Sequence, residues 1–251
     1  MTSKDDFERL DAIEKALLNR WPETRIAPTL DRIAALADAL GSPQLSYPTI
    51  HIAGTNGKTT TTRLIDSLCF QLGMRTGRFT SPHLESFLER ISINGEPISP
   101  EGMIATYNDI ALYLDLIDSR MPNKLSFFES MCALAFVAFA EFPVDVGIFE
   151  CGMGGEWDST NVIKADVSVI TPIGFDHMEY LGDTLEKIAL TKSGIIKESA
   201  FAVLARQEPD VAQVLMHKCA QVDATPIREG IEYSVKNRAL AVGGQLISIA
   251  G

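Results

Sequence analysis

The sequence has 251 residues, 46% of them hydrophobic, enough to bury one large core or two modest ones. Its 22 basic and 33 acidic residues leave a formal charge of −11, and no basic run offsets it, so nucleic acid is excluded as a partner. Cys69, Cys132, Cys151 and Cys219 are scattered and form no C-x-x-C pair, which suits buried thiols in a reducing compartment better than a disulfide frame or a zinc site.

The start, Met1-Thr2-Ser3-Lys4-Asp5-Asp6, is polar and acidic, unlike a signal peptide. The longest apolar run, residues 131–140, is too short to span a bilayer. A cytoplasmic monomer with no membrane partner is expected. Phe7, Leu10, Ile13, Leu17 and Leu18 predict a helix over 5–19 that ends near Trp21-Pro22. A second helix over 29–40 stops at Gly41-Ser42-Pro43.

The apolar run 49–53 then leads into Gly54-Thr55-Asn56-Gly57-Lys58-Thr59, and helical spacing resumes over 58–72. Strand, glycine turn and helix form the context of a phosphate-binding loop. Its amides and the helix dipole favour negative charge at one spot, Lys58 adds a full charge, and the Thr59 hydroxyl suits Mg²⁺. The expected nucleotide set is Gly54, Thr55, Asn56, Gly57, Lys58, Thr59 and Thr60. One departure stands out: the usual G-x-x-x-x-G-K-[ST] pattern has glycine where this chain has Ile52.

Residues 75–80 read as a strand running into Ser81-Pro82-His83, and 90–98 as a hairpin around Asn94-Gly95. Helices are predicted at 100–118 and 126–141, with strands at 144–149 and 167–170. A helix at 184–197, a strand at 201–204 and a helix at 209–220 follow. Short β pieces are expected at 231–235, 239–242 and 245–249. Alternating strands and helices imply an α/β fold with a doubly wound, mainly parallel sheet. Residues 1–47 would be N-terminal helices and 48–251 the phosphate-loop core with trailing short strands.

Ligands of such sheets sit outside the carboxyl ends of the strands. Segments 54–59, 80–84, 150–155 and 171–177 all fall there. Glu150, directly after an apolar strand, is either a surface carboxylate or an oxygen ligand for Mg²⁺, and the nucleotide loop in the same sheet favours the second. Asp176-His177 follows Thr171-Pro172-Ile173-Gly174-Phe175 after the next strand, where a histidine beside an acid suggests a ligand or catalytic role. His51 reads as a core residue and His217 as a surface one.

Eight motifs occur in order: Gly54-Thr55-Asn56-Gly57-Lys58, Thr80-Ser81-Pro82-His83-Leu84, Glu89-Arg90-Ile91, Phe127-Phe128-Glu129, Glu150-Cys151-Gly152-Met153-Gly154-Gly155, Asp158-Ser159-Thr160-Asn161, Asp176-His177 and Lys192-Ser193-Gly194-Ile195. Together they resemble the Mur ligase superfamily and, within it, the folylpolyglutamate synthase/dihydrofolate synthase family. The resemblance implies ATP-dependent joining of L-glutamate to folates, and to dihydropteroate in bifunctional members, through an acyl phosphate. It implies two Mg²⁺ ions, with Ser81 and Glu150 on the first and His177 on the second. It assigns Lys58, His177 and Lys192 to catalysis, and Lys192 matches the family lysine that carries a carbamate. Burial statistics alone would put Lys192 on a solvated helix face. Substrate contacts would come from Ser81, Pro82, His83, Phe128, Gly154, Gly155 and Asp158, with Phe127 or Phe128 offering a stacking face.

Three departures from the family pattern are visible. Glu156 replaces the arginine of Gly-Gly-Arg-x-Asp, and Thr191-Lys192-Ser193 replaces Glu-Lys-Ala. The third is length: a C-terminal ligase domain is expected in the family and is absent from these 251 residues. A non-catalytic nucleotide- or folate-binding module and another Mur-type amino-acid ligase are the competing readings.

Overall fold

A computed structural model describes residues 4–22 and 27–251. Met1, Thr2 and Ser3 of the polar start lie outside the described residues. Helices α1 (Lys4–Leu18) and α2 (Asp31–Ala39) precede the first strand. The core then runs β1 (Thr49–Ala53), α3 (Lys58–Gln71), β2 (Thr76–Phe79), β3 (Ile91–Ile93), β4 (Glu96–Pro97), α4 (Pro100–Arg120), α5 (Phe127–Glu141) and β5 (Val146–Glu150). It continues with β6 (Val167–Ile170), α6 (Met178–Leu181), α7 (Leu185–Ser193), β7 (Phe201–Leu204), α8 (Pro209–Gln221) and β8 (Thr225–Arg228). A separate hairpin, β9 (Ser234–Ala241) and β10 (Gly244–Ala250), follows.

Eight strands form one sheet in the order β4-β3-β2-β5-β1-β6-β7-β8. From β2 to β8 every pairing is parallel, and β3 and β4 extend one edge antiparallel. The expected doubly wound architecture is therefore present. Strand alternation sends Ile50 and Ile52 towards α3, where they pack with Ile65 and Ile148. The opposite face carries Phe79 and Phe149 against Phe136 and Phe139 of α5. Further along that face Ala53, Ile170, Ala202 and Leu204 pack with α7 and α8. Parallel order places β1 between β5 and β6, so the loops after these three strands meet at one end of the sheet.

Several boundaries differ from the sequence reading. The helix predicted over 184–197 stops at Ser193, and Ile195 and Ile196 enter the core as an irregular segment that keeps their apolar spacing. Strand β8 was not expected, because Pro226 lies inside it; as the sheet's outermost strand it tolerates a residue without an amide hydrogen. The pieces predicted at 231–235 and 239–242 are replaced by one strand, β9. Its residues are mostly exposed, so no alternation marks its limits. The Asn94-Gly95 hairpin forms as expected, both residues having positive φ.

Cys132, Cys151 and Cys219 are buried free thiols, and Cys69 is partly exposed. No helix among the described residues is long and apolar enough to cross a membrane.

Candidate functional site

The phosphate loop is a short backbone crossing between β1 and α3. Gly54 has φ +146°, and a Cβ there would lie 1.8 Å from Thr171 Oγ1, so only glycine fits. The amides of Thr55 and Asn56 both donate to the Pro172 carbonyl, at 3.1 and 3.3 Å. The Thr55 hydroxyl donates to the Gly174 carbonyl and accepts from the Gly174 amide, both at 3.0 Å. Segment 171–174 therefore braces the loop. Gly57 in the left-handed region caps α3, which aims the helix N-terminus at the loop.

Lys58 Nζ folds over this loop and donates to the Gly54 carbonyl at 3.1 Å. Ile52, where the usual pattern has glycine, is a fully buried strand residue paired with Glu150 and takes no part in the loop.

Glu150 is buried at the end of β5, and its Oε1 accepts from the Thr59 hydroxyl at 2.6 Å. Burial raises its pKa; the Thr59 hydroxyl and the Lys58 charge oppose that rise. The Ser81 amide also lies close enough to favour the carboxylate, yet Oε2 completes no hydrogen bond and is a buried acceptor without a partner. A hydroxyl and an underused carboxylate form a hard oxygen set beside a phosphate cradle. Among the described residues no three His, Cys, Asp or Glu side chains cluster as a ready-made metal cage. Mg²⁺ does not need one, because it retains water and phosphate ligands.

Lys192 is 2% exposed, which rejects a solvated helix face. Its Nζ donates to the Gly54 carbonyl at 2.8 Å, on the carbonyl that Lys58 also uses. Burial, then repulsion from Lys58, lowers its pKa to about 8.

A cavity of about 510 Å³ opens at the same end of the sheet; residues 54–60 do not line it, and the segments that follow β2, β5 and β6 connect it to the loop. Of the predicted substrate residues, Ser81, Pro82, Phe128 and Asp158 line the cavity, as does His177. His177 is about half exposed, has φ 47° and lies 3.5 Å from Asp176. The structure does not bring His83, Gly154 or Gly155 to this wall. His83 Nδ1 instead accepts from Arg90 Nε at 2.8 Å, pinning the loop behind Ser81. Gly154 and Gly155 are buried beneath it, and a Cβ at Gly155 would lie 2.7 Å from the Lys192 carbonyl. Their role is close packing against α7. Glu156, in the position of the family arginine, is exposed, and its amide donates to the Thr191 carbonyl.

Asp158 is buried, and its carboxylate accepts from the amides of Met153 and Thr160, each at 2.9 Å, and from the Thr160 hydroxyl. Burial raises its pKa against those bonds. Thr160 Oγ1 is in turn 2.7 Å from Nε2 of His51. His51 is thus the core residue expected; burial lowers its pKa to about 3, so it is neutral. His217 is exposed on α8, also as expected.

Segments 127–129 and 152–158 are also expected from the sequence to contact the pterin, and Glu129, Gly152, Met153 and Trp157 from them line the cavity. Sequence reasoning missed the N-terminal contribution of Trp21, Pro22, Ala27, Thr29 and Arg32, and Tyr180 after β6. These residues carry no local motif.

The Mur ligase middle domain model matches residues 52–245. The chain belongs to the Mur ligase middle-domain family. It is 50% identical to a Mycobacterium tuberculosis dihydrofolate synthase/folylpolyglutamate synthase, across 98% of this chain and 53% of that protein. It is 36% identical to a Lacticaseibacillus casei folylpolyglutamate synthase, across 92% and 54%. The structure of Mycobacterium tuberculosis folylpolyglutamate synthase complexed with ADP superposes with a TM-score of 0.91 at 50% identity, covering 97% of this chain and 55% of that one. An FPGS–AMPPCP–folate complex gives 0.89 at 34%, covering 96% and 58%. The chain spans about half the length of the curated relatives it matches.

Proposed function

We propose that this Mur ligase chain forms the nucleotide- and pterin-binding part of an ATP-dependent ligase joining L-glutamate to folates, and also to dihydropteroate. The observation that carries the reading is that two built features share one end of the sheet: a braced phosphate loop and an aromatic-walled cavity, with Ser81 and His177 on the cavity wall. Relatives whose names specify these activities, and neighbours solved with ADP, AMPPCP and folate, support it.

In this reading the free amides at the start of α3 and Lys58 hold the β- and γ-phosphates, since the Thr55 and Asn56 amides are bound to the Pro172 carbonyl. A pterin-linked carboxylate in the crevice attacks the γ-phosphorus, ADP leaves, and the glutamate amine then displaces phosphate from the acyl phosphate. Two anions must approach, so the site's task is to concentrate positive charge and exclude water. Thr59, Glu150 and Ser81 would hold Mg²⁺, with His177 on a second ion; the metal supplies charge neutralisation at the phosphates. Phe128 and Trp157 supply faces for a flat ring.

Lys192 carries two assignments. The resemblance gives it a carbamate, formed when a neutral amine adds CO₂ and releases a proton. Its lowered pKa favours the neutral amine. Its contact with Gly54 supports a second role as a pin beneath the loop. A ¹³C-bicarbonate label that yields a carbamate resonance, absent in Lys192→Arg, would decide for the first.

Cytoplasmic location and a monomeric state go with this reading. The remaining half of the relatives' length would clamp ATP and place glutamate. The central test is MgATP-dependent incorporation of labelled glutamate into tetrahydrofolate and into dihydropteroate, by this chain and by a protein of the relatives' full length. Incorporation into neither acceptor by the longer protein would sink the ligase reading.

A further inference from the structure

We propose that Gln207, in the connection between β7 and α8, is a positioning residue for the phosphate loop, because it fixes the peptide plane that holds the Thr55 and Asn56 amides. The role rests on the nucleotide reading above and adds to it a side chain that touches no phosphate. Strand β6 lies between β1 and β7. The segment after β6, Thr171-Pro172-Ile173-Gly174, therefore has the phosphate loop on one side and the connection after β7 on the other. Gln207 grips it from that outer side. Its Nε2 donates to the Thr171 carbonyl at 3.1 Å, and its Oε1 accepts from the Ile173 amide at 3.0 Å. Neither bond serves α8, whose N-cap is Glu208.

The Ile173 amide and the Pro172 carbonyl belong to one trans peptide, a stiff plane whose two polar ends point in opposite directions. Gln207 holds one end. The other end accepts from the amides of Thr55 and Asn56, at 3.1 and 3.3 Å. Turning that plane would carry the carbonyl away from both amides. Bonds at the two ends of a peptide also polarise each other, so losing one weakens the other. The second peptide that Gln207 holds starts at Thr171, whose amide donates to the Ala53 carbonyl at 2.9 Å and whose hydroxyl would meet any Cβ at Gly54. Both of its grips thus act one residue from a contact with the loop. Only a primary amide fits here, since one partner is an acceptor and the other a donor.

The test is the dissociation constant of MgATP, measured by calorimetry on the wild-type chain and two variants between about pH 5 and pH 8, with thermal unfolding as the check of folding. Gln207→Met keeps the length and removes both polar ends, and affinity should fall roughly tenfold at every pH. Gln207→Glu adds a rescue that loss of packing would not show. When ionised, it still accepts from Ile173 but turns a second acceptor on the Thr171 carbonyl. When protonated, its O–H donates to that carbonyl and both bonds return. Its affinity should be roughly tenfold below wild type at the upper pH and approach wild type as the pH falls. If Gln207→Met does not fold, the Gln207→Glu series carries the test alone. Wild-type affinity in folded Gln207→Met, or a Gln207→Glu to wild-type ratio that does not change with pH, overturns the assignment of Gln207 and leaves the nucleotide reading standing. Failure of the wild-type chain to bind MgATP overturns the two together.

Discussion

The phosphate loop and the cavity at the same end of the sheet are built on opposite principles. The loop is six consecutive residues, braced against segment 171–174 by the Thr55 and Asn56 amides and by the Thr55 hydroxyl. The cavity draws side chains from the N-terminal segment and the loops after β2, β5 and β6, together with the start of α5. Phosphate is the same in every nucleotide, so a fixed constellation of amides suffices and any side chain that disturbs it is costly. A substrate ring must be told from its analogues, which needs side chains that can be exchanged singly. Five of the seventeen lining residues lie before residue 52, outside the matched family region.

This contrast can be broken most sharply at Gly54. A methyl group there collides with Thr171 and requires an unfavourable φ, so Gly54→Ala should lower stability by about 3 kcal/mol and abolish nucleotide binding. Thermal unfolding and calorimetry check it; a variant with wild-type melting would show that the loop is not rigid.

Lys58→Ala comes next. Loss of charge-assisted bonds to phosphate should cost about 2 kcal/mol, roughly thirtyfold in MgATP affinity, with folic acid binding unchanged. Equal loss of both ligands would mean that the two regions are one site.

Phe128→Ala should do the reverse, weakening folic acid about tenfold and leaving MgATP alone. Its ring also packs 5.7 Å from Phe79, so unfolding should be followed alongside binding.

Glu150→Gln keeps the volume and removes a charge whose burial is unfavourable, so stability should hold or rise slightly while the Mg²⁺ requirement for nucleotide binding shifts several-fold. An unaltered Mg²⁺ titration would remove Glu150 from the metal site.

The last test is a pH dependence, small over any one pH unit. Lys192 has a folded pKa of about 8 against an ordinary value of 10.5, so between those limits the unfolded chain binds more protons. Stability relative to Lys192→Met should therefore rise with pH across that window, by on the order of 1 kcal/mol per pH unit. Urea midpoints of the two proteins at pH 7, 8, 9 and 10 give the comparison. A constant difference would mean that Lys192 is not buried as a cation.

What the sequence by itself determined is everything carried by short-range pattern. The phosphate loop, the Asn94-Gly95 turn and the alternation of strands and helices follow from dihedral preferences and from periods of 2 and 3.6 residues. Glu150 stood out in the sequence because it closes β5, and His177 because it stands beside an acid in the connection after β6. Tertiary structure alone decided the strand order, the burial of Lys192 and the assembly of the cavity. Lys192 looks like any helical lysine until α7 docks over the Gly54 carbonyl. Gly154 and Gly155 resemble a ligand loop until α7 is seen packed against them. Arg32 and Trp21 belong to an ordinary amphipathic stretch until Glu129, 97 positions from Arg32, arrives beside them. Local sequence sets backbone conformation, whereas burial and long-range pairing depend on which distant surfaces meet, and no window of neighbouring residues contains that information.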